Sequence, residues 1–116
     1  MSFLDSTQLT LEAAMSGSMV RQTLLTNNLA NADTPNYQPQ DVNFQQTLAS
    51  AIQNGQPLSQ ISYQPYTETQ VNGPDGNGVD QAQTSAEVAE NGLLYQELVQ
   101  VAASREGILE SAISTT

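Results

Sequence analysis

NNLANADTPNYQPQDVNF, residues 27–44, is the point at which this chain leaves one long helical pattern for something else. Pro35 has no backbone N–H and disfavours the helical region for Thr34, so a helix arriving from the N-terminal side must stop near Ala32 or Asp33. Asn36 tolerates left-handed backbone angles, and Pro39 then enforces a second extended step. Asn27, Asn28 and Asn31 are placed to spend their side chains on the last unpaired carbonyls of the helix. Taken alone, these are the usual residues for ending any helix.

Working outward on the N-terminal side, Ser2 and Asp5 have the spacing of a capping box, which starts the first helix near Ser2. Its seam reads Leu4, Leu11, Met15, Ser18, Gln22, Leu25 and Leu29, a coiled-coil-like stripe diluted by polar residues that would fix register at some cost in packing. Leu9, Met19, Val20 and Leu24 lie off that stripe, so more than one face expects a neighbour. A helix from Ser2 to Ala32 is roughly 45 Å long, more than a globule of this size needs.

On the other side, Asp41 can cap a short helix carrying Phe44, Leu48 and Ile52, which Asn54-Gly55 ends. Ile61, Tyr63, Pro65, Thr67, Thr69 and Val71 alternate as in an extended or edge-strand segment, and residues 72–78, NGPDGNG, are dense turn chemistry. The last helix begins at Asp80, with Gln83 as its partner, or at Thr84, with Glu87. Its seam is read as Asn91, Leu94, Leu98, Val101, Arg105, Ile108 and Ala112, beside a row of Tyr95, Ala102 and Leu109. Gly92 costs about 1 kcal/mol relative to alanine there and needs tertiary support. The expected fold is mainly α: two long helices at the N- and C-terminal ends form an antiparallel coiled-coil-like hairpin, with a short helix and an extended or short β excursion between them. Leu25 and Leu29 are expected beside Leu94, Leu98 and Val101.

The chain has 116 residues, a formal charge of −10, no Cys and no His, and Arg21 and Arg105 as its basic side chains. Nothing in it could neutralise a run of phosphates, so a nucleic-acid partner is not expected. Without Cys or His it lacks thiolate chemistry, the usual neutral-pH base and the commonest metal ligand. Asp75, Asn77 and Asp80 invite a calcium-loop reading, which fails where Val79, Asp80 and Ala86 stand at positions needing an oxygen ligand, Gly and Glu. No phosphate loop has its Lys and no Ser has a His base, so neither catalysis, cofactor nor metal is expected. A lone Arg in a seam is read as paired with a neighbouring Glu, and the remaining Glu residues as a solvated face. No basic-then-apolar leader and no membrane-length apolar run is present, so direct membrane insertion is not expected and export would use no cleaved signal.

Asn27, Asn28, Leu29, Ala30, Asn31, Thr34, Pro35, Tyr37 and Phe44 resemble the N-terminal signature of the flagellar axial family, the bacterial rod, hook and hook-cap-type proteins, roughly A-N-N-x-A-N-x-x-T-P-G-Y and a later aromatic. Asn36 replaces the usual Gly, which implies a positive φ at or beside Asn36. Asp75-Gly76-Asn77-Gly78-Val79-Asp80, then Ala89-Glu90-Asn91 and Leu94-Tyr95-Gln96, are similar to the D-G-N-x-V-D turn and A-E-N-x-L-x-Y-Q helix of the family's proximal-rod branch. A Met common in that branch has no counterpart, and residues 53–72 show no match. The resemblance covers nearly half the chain in two segments.

The resemblance implies one rod-type domain over residues 1–116, with an N-terminal helix over 1–33, a turn, short helix and loop over 34–79, and a C-terminal helix over 80–116. It implies a structural subunit of the proximal rod of the flagellar basal body, in the cell envelope on the periplasmic side. The implied partners are itself, other rod proteins, the membrane-ring adaptor and the flagellar type III export apparatus. Its signature and assembly residues would be Asn27, Asn28, Ala30, Asn31, Thr34, Pro35, Tyr37, Phe44, Asn77, Val79, Asp80, Asn91, Leu94, Tyr95 and Leu98. The alternative from another class is a small secreted helical-hairpin effector or export adaptor. From composition, the isolated chain is expected to be loosely folded, its last turns from Ile108 to Ile113 ordering on partners, with Leu98 and Leu109 needed for assembly.

Overall fold

The computed structural model describes residues 3–71 and 73–114, with side chains over 6–71, 73–108 and 110–112. The Ser2–Asp5 capping box, Leu4, Leu109 and Ile113 lie outside those described side chains. In chain order the elements are α1 (Phe3–Ala30), β1 (Gln40–Asp41), α2 (Phe44–Gln53), a 3-10 turn (Leu58–Gln60), β2 (Tyr66–Thr67) and α3 (Gln81–Ser114). The body measures 66 × 27 × 14 Å. Among the described residues no helix is long and apolar enough to cross a membrane.

α1 stops where the Pro35 argument requires. The Asn31 N–H is shared between the carbonyls of Asn27 and Asn28, both at 3.1 Å, and the chain turns through Thr34. Pro35 and Asn36 occupy the middle of a turn closed by Tyr37 N–H donating to Thr34 O at 3.3 Å. Asn36 has φ 63°, the positive angle that a Pro-x turn of type II demands at its third position.

α2 is capped differently from the expectation. Asn43, not Asp41, is its N-cap, accepting from the Gln46 N–H at 3.2 Å. Asp41 is unavailable because its carboxylate lies in β1, where it accepts from Arg21 and from the Val42 N–H at 2.7 Å. The C-terminal end follows the reading: Gly55 takes φ 67°, its N–H donates to Ile52 O, and Gln56 N–H donates to Ala51 O, a Schellman closure. The buried face of α2 is Phe44, Leu48 and Ala51, whereas Ile52 is 50% exposed. α2 lies against α1 at Gly17, where a Cβ would come within 2.7 Å of Phe44 Cβ. Tyr63, from the extended stretch, packs edge-on to Phe44 with ring centroids 6.4 Å apart and donates its hydroxyl to Ala13 O at 2.7 Å. The β excursion is a two-residue antiparallel pairing, Gln40 opposite Thr67 and Asp41 opposite Tyr66.

α3 begins after Asp80, whose carboxylate accepts from the Gln83 N–H at 3.1 Å, so the Asp80 start holds and Thr84 is already inside the helix. The two long helices run antiparallel, as Gln8 reaching Glu106, Ser18 reaching Asn91 and Arg21 reaching Glu87 require. The register expected for the leucines is corrected. Leu25 lines a cleft together with Thr84 and Glu87, while Leu94 and Leu98 line a separate one with Ala14, Phe44 and Leu48. Thr84 to Leu94 is ten residues of helix, about 15 Å, so Leu25 does not reach Leu94. The buried and half-buried line on α3 is Thr84, Val88, Asn91, Tyr95, Leu98, Ala102 and Arg105, a strict four-three alternation. It draws on both rows read from the sequence and leaves Val101, at 48% exposure, and Ile108, at 68%, outside the seam.

Candidate assembly site and its asparagine clamp

The two signature stretches, far apart in sequence, meet at the closed end of the hairpin. Asn28 is buried on α1 and treats Gln40 as a neighbouring strand would: its Nδ2 donates to Gln40 O at 2.8 Å, and its Oδ1 accepts from Gln40 N–H at 3.0 Å. The same Oδ1 accepts the Tyr37 hydroxyl at 3.2 Å. Asn31 does cap its own helix, donating to Asn27 O at 2.9 Å, and accepts the Thr34 hydroxyl at 3.0 Å. Asn77 closes the clamp from the other segment. Its Nδ2 donates to Asn31 O at 2.9 Å and Thr34 O at 2.6 Å, and its Oδ1 accepts the Val79 N–H at 2.7 Å. Backbone bonds from Asn36 N–H to Asp75 O and from Gly78 N–H to Tyr37 O complete it. Gly76 takes φ 81°, an angle that side chains rarely adopt, and a Cβ there would also displace Asn36 Oδ1.

Of the remaining signature residues, Phe44 and Val79 are buried, Asp80 caps α3, and Tyr95 and Leu98 are half-buried in the seam. Leu94 borders α2. Asn27, Ala30 and Pro35 are exposed. Asn91 is 2% exposed; its Nδ2 donates to Ser18 O and Gln22 Oε1, both at 2.8 Å, while its own Oδ1 and the Ser18 hydroxyl are buried without a hydrogen-bond partner. A buried, incompletely satisfied polar layer costs stability and fixes the register of the two helices.

Arg21 joins three elements. Its Nε meets Asp41 Oδ1 at 2.9 Å, and its Nη2 meets Asp41 Oδ2 at 3.2 Å and Glu87 Oε2 at 2.9 Å. The hydrogen bond to Asp41 holds the guanidinium above its ordinary pKa despite burial. The Arg–Glu pairing read for a seam arginine is thus observed at Arg21, with Asp41 as a stronger second partner. Gly17 went unread, and Asp41 and Tyr63 were read only for local roles, because each acts through a contact distant in sequence.

Glu68 sits beside this cluster, and its carboxyl is raised above the ordinary value, by burial first and then by Asp41 and Glu87. A carboxyl raised on folding binds more protons folded than unfolded, so its contribution to stability is largest below the ordinary carboxylate pKa and falls as pH rises through the raised value. Glu68→Gln is therefore expected to raise the melting temperature at neutral pH and to make no difference below about pH 4, where both side chains are neutral. Paired melts at the two pH values check it; destabilisation at neutral pH would show that charged Glu68 is favourably held.

The sequence model of the family described as "Flagella basal body rod protein" matches residues 9–38, which run from α1 through the turn. The chain is 31% identical over 112 residues to the flagellar basal body rod protein FlgB of Bacillus subtilis, covering 86% of this chain and 87% of that one. It is 35% identical over 96 residues to FlgB of Escherichia coli, covering 66% and 70%. Against FlgB of Aeromonas hydrophila it is 36% identical over 97 residues, covering 72% and 74%. With a clamp built from the two signature stretches, and relatives of this name matched across most of both chains, the chain belongs to the FlgB family of flagellar basal body rod proteins.

Proposed function

We propose that this chain is one rod-type structural unit of the proximal rod, located in the basal body, which polymerises with itself and with other rod proteins into the shaft that transmits torque across the envelope. The observation that carries the reading is a hairpin pinned by its own polar contacts, yet with Leu93, Val101 and Ile108 of α3 exposed along a 66 Å body. Apolar residues spread along a narrow rod-shaped subunit gain their burial from neighbours, and contacts that repeat without closing build a helical polymer. Within that reading the clamp residues Asn28, Asn31, Thr34, Tyr37 and Asn77 hold the shape that is assembled, and Leu94 and Leu98 contribute contact surface. The partners are rod proteins, the membrane-ring adaptor and the type III export apparatus that delivers the chain; the role is mechanical. A discrete secreted adaptor would leave the family match unexplained.

Val101→Asp and Ile108→Asp test it. Both change exposed side chains, so the isolated chain's circular dichroism should be unaltered. In cells whose own copy is replaced, each variant is expected to lower the amount of the chain in purified basal bodies at least tenfold and to abolish swimming. Normal incorporation of both would remove α3 from the assembly surface.

A further inference from the structure

Between α2 and α3 runs a groove that no part of the described chain fills. Phe44 holds one end of α2 against α1, and the outer flank of α2 stands off α3, leaving a cleft of ≈ 240 Å³ lined by Ala14, Phe44, Leu48, Leu94 and Leu98, with the half-exposed Ile52 also on its wall. Through Phe44, Gln45 and Leu94 it continues into a polar cleft of ≈ 470 Å³ where Asp41, Glu90, Tyr66 and Arg21 meet. Arg21 is already bonded to both Asp41 and Glu87, so Glu90 has no cation of its own there and the polar end carries excess negative charge.

We propose that this groove receives an amphipathic helix from a different chain, apolar along the face that meets Leu48, Leu94 and Leu98 and bearing a Lys or Arg at the end that reaches Glu90 and Asp41. It deepens the rod-subunit reading by stating the chemistry of a neighbour. A helix fits because the cleft is walled by helices and α2, at ten residues, offers about 15 Å, between two and three turns. A second copy does not fit by charge. One of its two cations, Arg21, is taken, and the other, Arg105, has Nε and Nη2 buried inside its own hairpin. Its long helices would instead bring Glu97, Glu106 and Glu110 towards Glu90, and like charges set against each other suppress pairing.

The test places a photo-cross-linking residue at position 52 of the full chain in intact cells, with basal bodies purified separately. The expected major adduct is to another protein, on a segment with apolar residues at three- and four-residue spacing and a Lys or Arg within about two helical turns. Glu90→Lys is expected to lower that adduct at least tenfold per chain, and Glu90→Gln to lower it less. An adduct to a second copy, to an acidic or irregular segment, or no adduct at all would overturn the proposal. Failure of the chain to fractionate with basal bodies would instead overturn the rod reading, since the cross-link is read in whole cells.

Discussion

Gly17→Ala is expected to destabilise the folded chain although it improves helix propensity. Alanine in place of a helical glycine gains about 1 kcal/mol, but the new methyl would lie 2.7 Å from Phe44 Cβ and 2.8 Å from Cγ and Cδ2. Those atoms are the root of the Phe44 side chain, at the first residue of α2, so relief requires moving the helix and not a rotamer. Over-packing of this kind costs about 1–3 kcal/mol, and valine or leucine should cost more than alanine. A net loss of up to about 2 kcal/mol is expected for alanine, in urea unfolding followed by circular dichroism. Because Cβ itself is in contact, Phe44→Leu should not rescue it. A Gly17→Ala chain more stable than the parent would show that α2 does not dock on α1 at this point.

Asn77→Ala is expected to be the most damaging substitution in the turn. It strips donors from the carbonyls of Asn31 and Thr34 and an acceptor from the Val79 N–H, at a side chain only 3% exposed. The two carbonyls keep the Thr34 and Tyr37 N–H donors, so the Val79 N–H is the group left unpaired, at about 1–3 kcal/mol, and with the two lost carbonyl bonds at about 1 kcal/mol each a total loss of about 3 kcal/mol is expected. Asn77→Asp keeps the acceptor but sets a carboxylate against two carbonyl oxygens, and should be no better. If the purified chain lies near its folding midpoint, as its sparse apolar content suggests, a titration with the osmolyte TMAO supplies the folded baseline. Amide exchange then locates the loss: faster exchange at Val79 and Tyr37 with α2 unchanged is the expected pattern. A loss below about 1 kcal/mol would mean that water replaces the asparagine and that the clamp is not what joins the two segments.

What the sequence disclosed was whatever is decided locally. Pro35 ends α1, Asn36 takes its positive φ, Gly55 closes α2 and Asp80 caps α3, each through atoms within a few residues of itself. The antiparallel hairpin and the brief strand between its arms followed from pattern and resemblance. What stayed hidden was decided across the fold. Asn28 could have capped its own helix, but Gln40 offers both a donor and an acceptor, and two bonds outcompete one. Asp41 has the look of a helix cap until Arg21 claims it. The register of α3 on α1 is set by Asn91 and Arg21 meeting Ser18 and Glu87, not by the leucines, which repeat closely enough along both helices to permit several alignments.

The buried polar layer also has a mechanical consequence. To slide α3 along α1 by one turn, about 5.4 Å, Asn91 must leave Ser18 and Gln22 while Arg21 leaves Glu87, all within the same stroke. Two apolar ridges would offer a similar surface one turn on and could creep under load. These arms have no equivalent resting place one turn away, so a longitudinal force is shared by both helices at once. The hairpin behaves in shear as a pinned joint and not as a greased one.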